Sequence, residues 1–394
     1  MNKRIYLDHA ATTATRPEVI EAMLPYLGER YGNPSGLYSL GIESKKAIDN
    51  ARLIIAEALG TEGENIYFTG GGSESDNWAI KGVADAFSKK GRHIITSKIE
   101  HHAVLNSCRY LETKGFAVTY LGVGENGIVR PESVYAAIRP DTIMVSIMYA
   151  NNEIGSIQPI KEIGAITRRQ GVIFHTDAVQ AFGQLPIDVD ECNIDMLSAS
   201  GHKLQGPKGT GFLYVRKGID ITNLIHGGKQ EAGRRAGTEN VPGIVGIGRA
   251  TQLALEDMDN RIKNECELRD YLINRVLDEI PYSRLNGHRY KRLPNNVNFS
   301  FQFIDAEPLL VMLDMSGICA SAGSACNSGI KKPSYVLEAL GLPEDVINGT
   351  VRFTIGGENT VEDIDYTVDT LKEIVGKLRE SSPLYEDYKR YNKI

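Results

Sequence analysis

The chain has 394 residues, 42% of them hydrophobic and 24% charged, with a formal net charge of −6. Single cores rarely grow past roughly 250–300 residues, so this length calls for two lobes, and the mild acidity supplies no basic field for nucleic acid or an anionic membrane. No run approaches the ~20 apolar residues of a spanning helix, and Met1–Thr13 lacks the apolar run of a signal peptide. Five cysteines with no CxxC pair point away from a disulfide framework or zinc knuckle and toward a reducing cytoplasm.

In chain order, a helix is predicted over Ser44–Leu59 and a strand over Ile66–Thr69, which runs through Gly70–Gly72 into a helix start at Ser73–Asn77. Free N–H groups and the dipole at such a start suit a phosphate, with Ser73 adding a hydroxyl. The run fits neither the dinucleotide-binding nor the P-loop glycine pattern, and a purely structural turn is the other reading. Strand His93–Ser97 leads to Glu100-His101-His102, where an imidazole can stack on a flat ring and shuttle protons or simply pack. Strands Thr142–Tyr149 and Val172–Asp177 flank a helix at Ile160–Gln170. A buried carboxylate at Asp177 needs a cationic partner; it is either a helix N-cap or the partner of a protonated pyridine nitrogen, as in pyridoxal phosphate sites. Strand Asp195–Ala199 ends in Ser200-Gly201-His202-Lys203. A lysine there suits a Schiff base, since burial favours the free amine; a surface lysine in a glycine turn is the alternative. With Gly211–Val215 the series reads as a mostly parallel α/β sheet buried on both faces. Asp177 and Lys203 at successive strand ends favour the cofactor reading.

After about Pro242 the pattern changes. Met258, Ile262, Cys266, Leu272, Val276 and Ile280 mark one long amphipathic helix. A strand at Asn296–Phe303, a helix at Glu307–Met315 and a final helix near Val361–Glu380 complete a smaller α+β lobe, and the polar tail Ser381–Ile394 is expected to be loosely ordered. Between them, Ser321–Gly329 surrounds Cys326 with small residues, as expected of an exposed loop whose thiol can be held as a thiolate near basic groups. Cys108, Cys192, Cys266 and Cys319 lie in segments that read as packed.

Taken together, Tyr6–Thr13, Gly32–Ser35, Ala150–Gly155, Arg234–Asn240, Leu293–Asn298 and Val351–Gly356 give ordered blocks along nearly the whole chain. They resemble the cysteine desulfurases, the NifS/IscS-like type within the class V aminotransferases. The resemblance implies fold-type I of the pyridoxal-phosphate enzymes, with a mostly parallel seven-stranded sheet in a large lobe (residues 14–258). It implies a small α+β lobe (1–13 with 259–394) carrying the cysteine loop at about 321–332. Lys203 then matches the Schiff-base lysine and Asp177 the partner of the pyridine nitrogen. Gln180 and Asn152 face the phenolic oxygen, and His101 stacks on the ring and moves protons. Gly72, Ser73, Ser200 and His202 cup the phosphate, with Thr238 reaching in from the second subunit of a homodimer. Arg352, helped by Asn33, matches the fork onto the carboxylate of L-cysteine. Cys326 takes the sulfur as a persulfide for an acceptor such as an iron–sulfur scaffold or a transfer-RNA thiolation enzyme; no resident metal is expected, though Cys326 could touch a cluster transiently.

Departures from the family's common pattern are Ser73, Asn327, Lys331-Lys332 and Gly357-Glu358, which bear on partner identity rather than chemistry. A selenocysteine lyase, a small aminotransferase and a non-catalytic sulfur relay are the rival readings. The cysteine-bearing loop weighs against the first two, and the survival of Lys203, Asp177 and His101 against the third.

Overall fold

A computed structural model describes residues 4–322 and 333–392. Its strands, in chain order, are Ile5–Tyr6 (β1), Ile66–Thr69 (β2), His93–Ser97 (β3), Ala117–Leu121 (β4), Thr142–Ser146 (β5), Ile173–Asp177 (β6), Met196–Ser200 (β7), Gly211–Val215 (β8), Ser283–Leu285 (β9), Asn296–Phe301 (β10), Ile318–Cys319 (β11) and Thr350–Thr354 (β12). Seven of them form one sheet in the order β2-β8-β7-β6-β5-β3-β4. All pairs in it are parallel except those made by β8, which runs against both β2 and β7.

The central strands lack alternation because both faces are covered. Ile94, Met144 and Ile173 pack under helices Gly72–Ala86 and His102–Glu112 together with Trp78, Val83 and Val104. Ile95, Val145 and Phe174, one residue on, enter the opposite cluster with Ile55, Ile163 and Ile247. A second core holds Leu272, Val276, Phe299, Phe301, Leu313, Phe353 and Leu371. It is built on the antiparallel sheet β12-β10-β9 and helices Met258–Glu279, Ala306–Met315 and Val361–Glu380. Strand β1 crosses to pair with β11, so the start of the chain is tied to the second core and runs back across the sheet end.

Three expectations need correction. The strand expected over Thr142–Tyr149 ends at Ser146; Ile147 and Met148 stay buried, and Ile147 N and Tyr149 N still donate to the His175 and Asp177 carbonyls as the chain runs on into the sheet's rim. Strand β4 was not expected: it is an edge strand, mostly half-exposed, so its alternation is weak. The tail is not loose, for Pro383–Asn392 is helical. Tyr388 stacks on Tyr282 and Phe303 at centroid distances of 5.3 and 4.8 Å, and Tyr385 joins them, a burial of aromatic surface that offsets the ordering entropy.

Candidate active site

In a parallel sheet the carboxyl ends of the strands share one rim, and ligands bind there. Four strands bring chemistry to this rim. From β6 comes Asp177, 5% exposed. One of its oxygens accepts the Val179 N–H at 2.9 Å, but no helix begins there, so the helix N-cap alternative is replaced by a turn contact that occupies one half of the carboxyl. Burial pushes its pKa up, opposed by His101, the Val179 N–H and Lys203. From the turn after β7 comes Lys203, whose Nζ donates to the carbonyls of Ala10 and Ala11 at 2.5 and 2.7 Å. Gln180 Nε2 donates to the same Ala10 carbonyl at 3.0 Å.

From the end of β3 comes His101, which caps helix His102–Glu112: its Nδ1 accepts from Ala103 N at 3.2 Å. A neutral ring therefore carries its proton on Nε2. A ring nitrogen of His101, an oxygen of Asp177 and an oxygen of Asp76 all lie within 4.8 Å of one another. Beside them Glu100 is fully buried; burial pushes it up to about 8, against hydrogen bonds from Ser97 Oγ and Met148 N.

The glycine turn after β2 meets the same rim. No side chain caps the N-terminus of helix Gly72–Ala86, so its first-turn N–H groups suit an anion. Gly71 has φ 144°, which favours glycine. A Cβ on Gly72 would come within 2.5 Å of Val179 and 3.7 Å of Ser200, so the cup closes only over a bare backbone. His202 Nδ1 lies 3.1 Å from Thr12 Oγ1, and burial, with Lys203 and Lys208 nearby, holds the ring down to about 4 and hence neutral.

These features fit pyridoxal phosphate: a buried acid for a ring N–H, a lysine one strand away and an uncapped helix start for the phosphate. A further fit is Asn152 Oδ1, buried with no hydrogen-bond partner among the described residues. Gly72, Ser73, Ser200, His202, His101, Asp177, Gln180, Asn152 and Lys203 are the residues that would hold it.

Other predicted residues stand differently. Arg352 on β12, 2% exposed, donates to Asp8 Oδ1 at 2.7 Å and to the Asn152 carbonyl at 2.9 Å. Its guanidinium already holds a carboxylate, and Asp8 was not singled out in the sequence. Asn33 is exposed and accepts from Ser35 N at 2.9 Å. Thr238 is exposed as well. Among the described residues neither bonds to the group above. The segment bearing Thr238 is nevertheless tied to the cup: buried Glu231 takes both Arg52 Nη groups at 2.7 and 2.8 Å and Phe68 N at 2.8 Å, and Arg235 pairs with Glu74 at 2.8 Å. Cys326 lies outside the described residues. The four other cysteines all have thiols pushed up by burial, Cys108 to about 12.

Sequence reasoning also passed over Asp76 and Glu100. Asp76 carried a usable signal, because with Ala79, Ile80 and Val83 it follows the i, i+3, i+4, i+7 spacing of one buried helix face, where a carboxylate is out of place.

Comparison with known proteins agrees with this geometry. The sequence model of the family described as "Aminotransferase class-V" matches residues 5–367. The "Cysteine desulfurase IscS" of Methanosarcina thermophila is 57% identical, covering 97% of this chain and 95% of its own. That of Clostridium botulinum (strain Hall) is 54% identical over 98% of both. Among solved structures, a "NifS-like protein" is 38% identical with a TM-score of 0.90, covering 95% of this chain and all of its own. "SspA in complex with cysteine" is 38% identical with a TM-score of 0.81, covering 90% and 100%. Likeness of this degree over nearly the whole chain shows the family: the chain belongs to the class-V aminotransferases as one of their pyridoxal-phosphate-dependent cysteine desulfurases.

Proposed function

We propose that this chain removes sulfur from L-cysteine with Lys203, Asp177 and His101 as its working residues and Cys326 as the sulfur acceptor. The observation that carries the reading is the placing of Lys203 and buried Asp177 at the ends of neighbouring strands, beside an uncapped helix start. Pyridoxal phosphate, when bound, draws electrons away from Cα of the amino acid.

The chain's own residues do the rest. Asp177 holds a proton on the ring nitrogen. The Lys203 amine moves the Cα proton, and Arg352 forks onto the substrate carboxylate, which takes over the place of Asp8. His101 Nε2 adjusts the protonation of the substrate thiol. The Cys326 thiolate then attacks the substrate sulfur: an S–S bond forms as the Cβ–S bond breaks, and the electron pair left on Cβ takes a proton to give the alanine methyl. Cys326 suits the role partly by elimination, since thiols pushed up by burial are poor nucleophiles at neutral pH and all four described cysteines are of that kind.

Asp177→Asn tests the reading. It should keep the cofactor yet lose on the order of 10² to 10⁴ in kcat, because a neutral amide does not hold the ring nitrogen protonated. Near-wild-type kcat would reduce Asp177 to a turn cap.

The enzyme is further proposed to act as a homodimer in the cytoplasm, with the persulfide sulfur passing to an iron–sulfur scaffold protein or a transfer-RNA thiolation enzyme. Support for the dimer is the run of exposed apolar side chains at Leu24, Leu27, Tyr31, Leu37 and Tyr38 around Asn33, with Leu37 95% exposed, side chains of the kind a subunit interface would cover. Thr238 would complete the partner's phosphate cup. Light scattering should give twice the chain mass; a monomer fully active at nanomolar dilution would refute it. Among the described residues no helix is long and apolar enough to cross a membrane.

A further inference from the structure

Under Asp177 lies a second carboxyl that the proposed chemistry does not use. Asp76, 1% exposed, stands one turn into helix Gly72–Ala86. Period 2 along β6 puts His175 and Asp177 on the sheet face that this helix covers. Asp76 Oδ1 is 3.7 Å from His175 Nε2 and has no hydrogen-bond partner among the described residues. His175 is no counter-ion. It is fully buried, and burial alone holds it down to about 3. Its ring is fixed between Ser146 Oγ at 2.9 Å and Ser198 Oγ at 3.0 Å.

The groups facing this carboxyl can be taken element by element. From β6 come neutral His175 and acidic Asp177; from the segment after β3 come Glu100 and His101; from β7 comes the hydroxyl of Ser198, while Lys203, in the turn after that strand, acts on Asp177. Two carboxyls this close in a dry pocket do not both ionise; they share one charge and one proton. Asp177 is the better place for the charge, with the Val179 N–H, His101 and Lys203 all favouring its anion. Asp76 has only Ser198 on its side, while burial, Asp177 and Glu100 push it up.

We infer that Asp76 is a positioning residue: it carries a proton at neutral pH and, as a neutral acid against Asp177, leaves Asp177 the single anion at the cofactor's ring nitrogen. The inference rests on the reading of Asp177 given above. Ser198 hydrogen-bonds the acid, and the His175 ring that Ser146 and Ser198 hold in place lies 3.7 Å from its Oδ1, so the cup helix meets strands β5, β6 and β7 through one set of buried polar groups.

The test compares Asp76→Asn, which copies a neutral acid, with Asp76→Leu, which removes the polar contacts. In infrared difference spectra of the holoenzymes, wild type should show one protonated-carboxyl band that D76N lacks. D76N should keep cofactor affinity, measured by dialysis, and kcat within about threefold of wild type. D76L should lose cofactor affinity and kcat by about tenfold or more, because the buried polar groups that faced the carboxyl, Ser198 and Asp177 among them, are left against an apolar side chain. An unchanged band in D76N, or a tenfold loss of cofactor in D76N of the size seen in D76L, overturns the inference. So does stoichiometric zinc binding by the apo-protein that D76N abolishes, which would make Asp76, His101 and Asp177 metal ligands. An Asp177→Asn enzyme of near-wild-type kcat would sink both readings, whereas the persistent band in D76N sinks this one alone.

Discussion

Lys203→Ala should leave a folded protein that binds the cofactor without any covalent link and does not turn over, with kcat down on the order of 10⁴ or more, since the residue is both the attachment point and the base at Cα. The geometry makes the effect local. Lys203 lies in the short turn Gly201–Lys203 that follows β7, and its amine reaches back to the Ala10 and Ala11 carbonyls. Those acceptors are backbone atoms on the segment that β1 anchors to the second core, so they stay in place when the side chain is cut. Lys208, the nearest lysine in sequence, is exposed and is not held toward the rim by any bond of this kind. Borohydride treatment of wild-type holoenzyme followed by peptide mapping should label Lys203. A label on Lys208, or a Lys203→Ala enzyme that still turns over at a measurable fraction of the wild-type rate, would remove Lys203 from the mechanism.

Lysine and aspartate were legible in the sequence because each ends a short β-branched or apolar run, and strand ends of a parallel sheet share one rim. His93–Ser97 and Gly211–Val215 were read to the residue, since glycine or charged residues bound them. Thr142–Tyr149 was overextended because apolar residues at a rim look like more strand; buriedness is visible in sequence, pairing is not. The tail failed for a different reason. Tyr385 and Tyr388 look like solvent-facing tyrosines until Tyr282 and Phe303, far upstream, supply the surface that orders them. Asp8 and Asp76 were missed because their partners are brought by topology alone: Arg352 reaches Asp8 only because β1 returns to the second core, and Asp76 meets Asp177 only because its helix crosses β6. Asn33 and Thr238 entered through family resemblance alone, and both are exposed in the single chain.

Cys326→Ala should divide the chemistry in two. The variant should bind the cofactor and L-cysteine as wild type does, because Lys203 lies in the turn after β7, Asp177 on β6 and Arg352 on β12, and the substitution removes none of them. It should not release alanine at a useful rate, because no other described cysteine can take the sulfur. Cys108 is fully buried on the inner face of helix His102–Glu112, and the thiols of Cys192, Cys266 and Cys319 are also pushed up, by burial first. Cys319 is the one to watch. It sits on β11, a few residues before the loop, in a segment whose Ser321 exchanges backbone hydrogen bonds with Arg352 at 3.2 and 2.6 Å. It is therefore close to the substrate's proposed carboxylate site, yet fixed in a strand and without the freedom to travel to an outside acceptor. Mass spectrometry after brief exposure of wild type to L-cysteine should find one retained sulfur, ~32 Da, on the peptide bearing Cys326. The Cys326→Ala enzyme should show no such mass on any peptide and should fall below about one hundredth of the wild-type rate of alanine release. The same mass on the Cys319 peptide, or alanine release at the wild-type rate without Cys326, would transfer the role to another thiol or to an acceptor in solution.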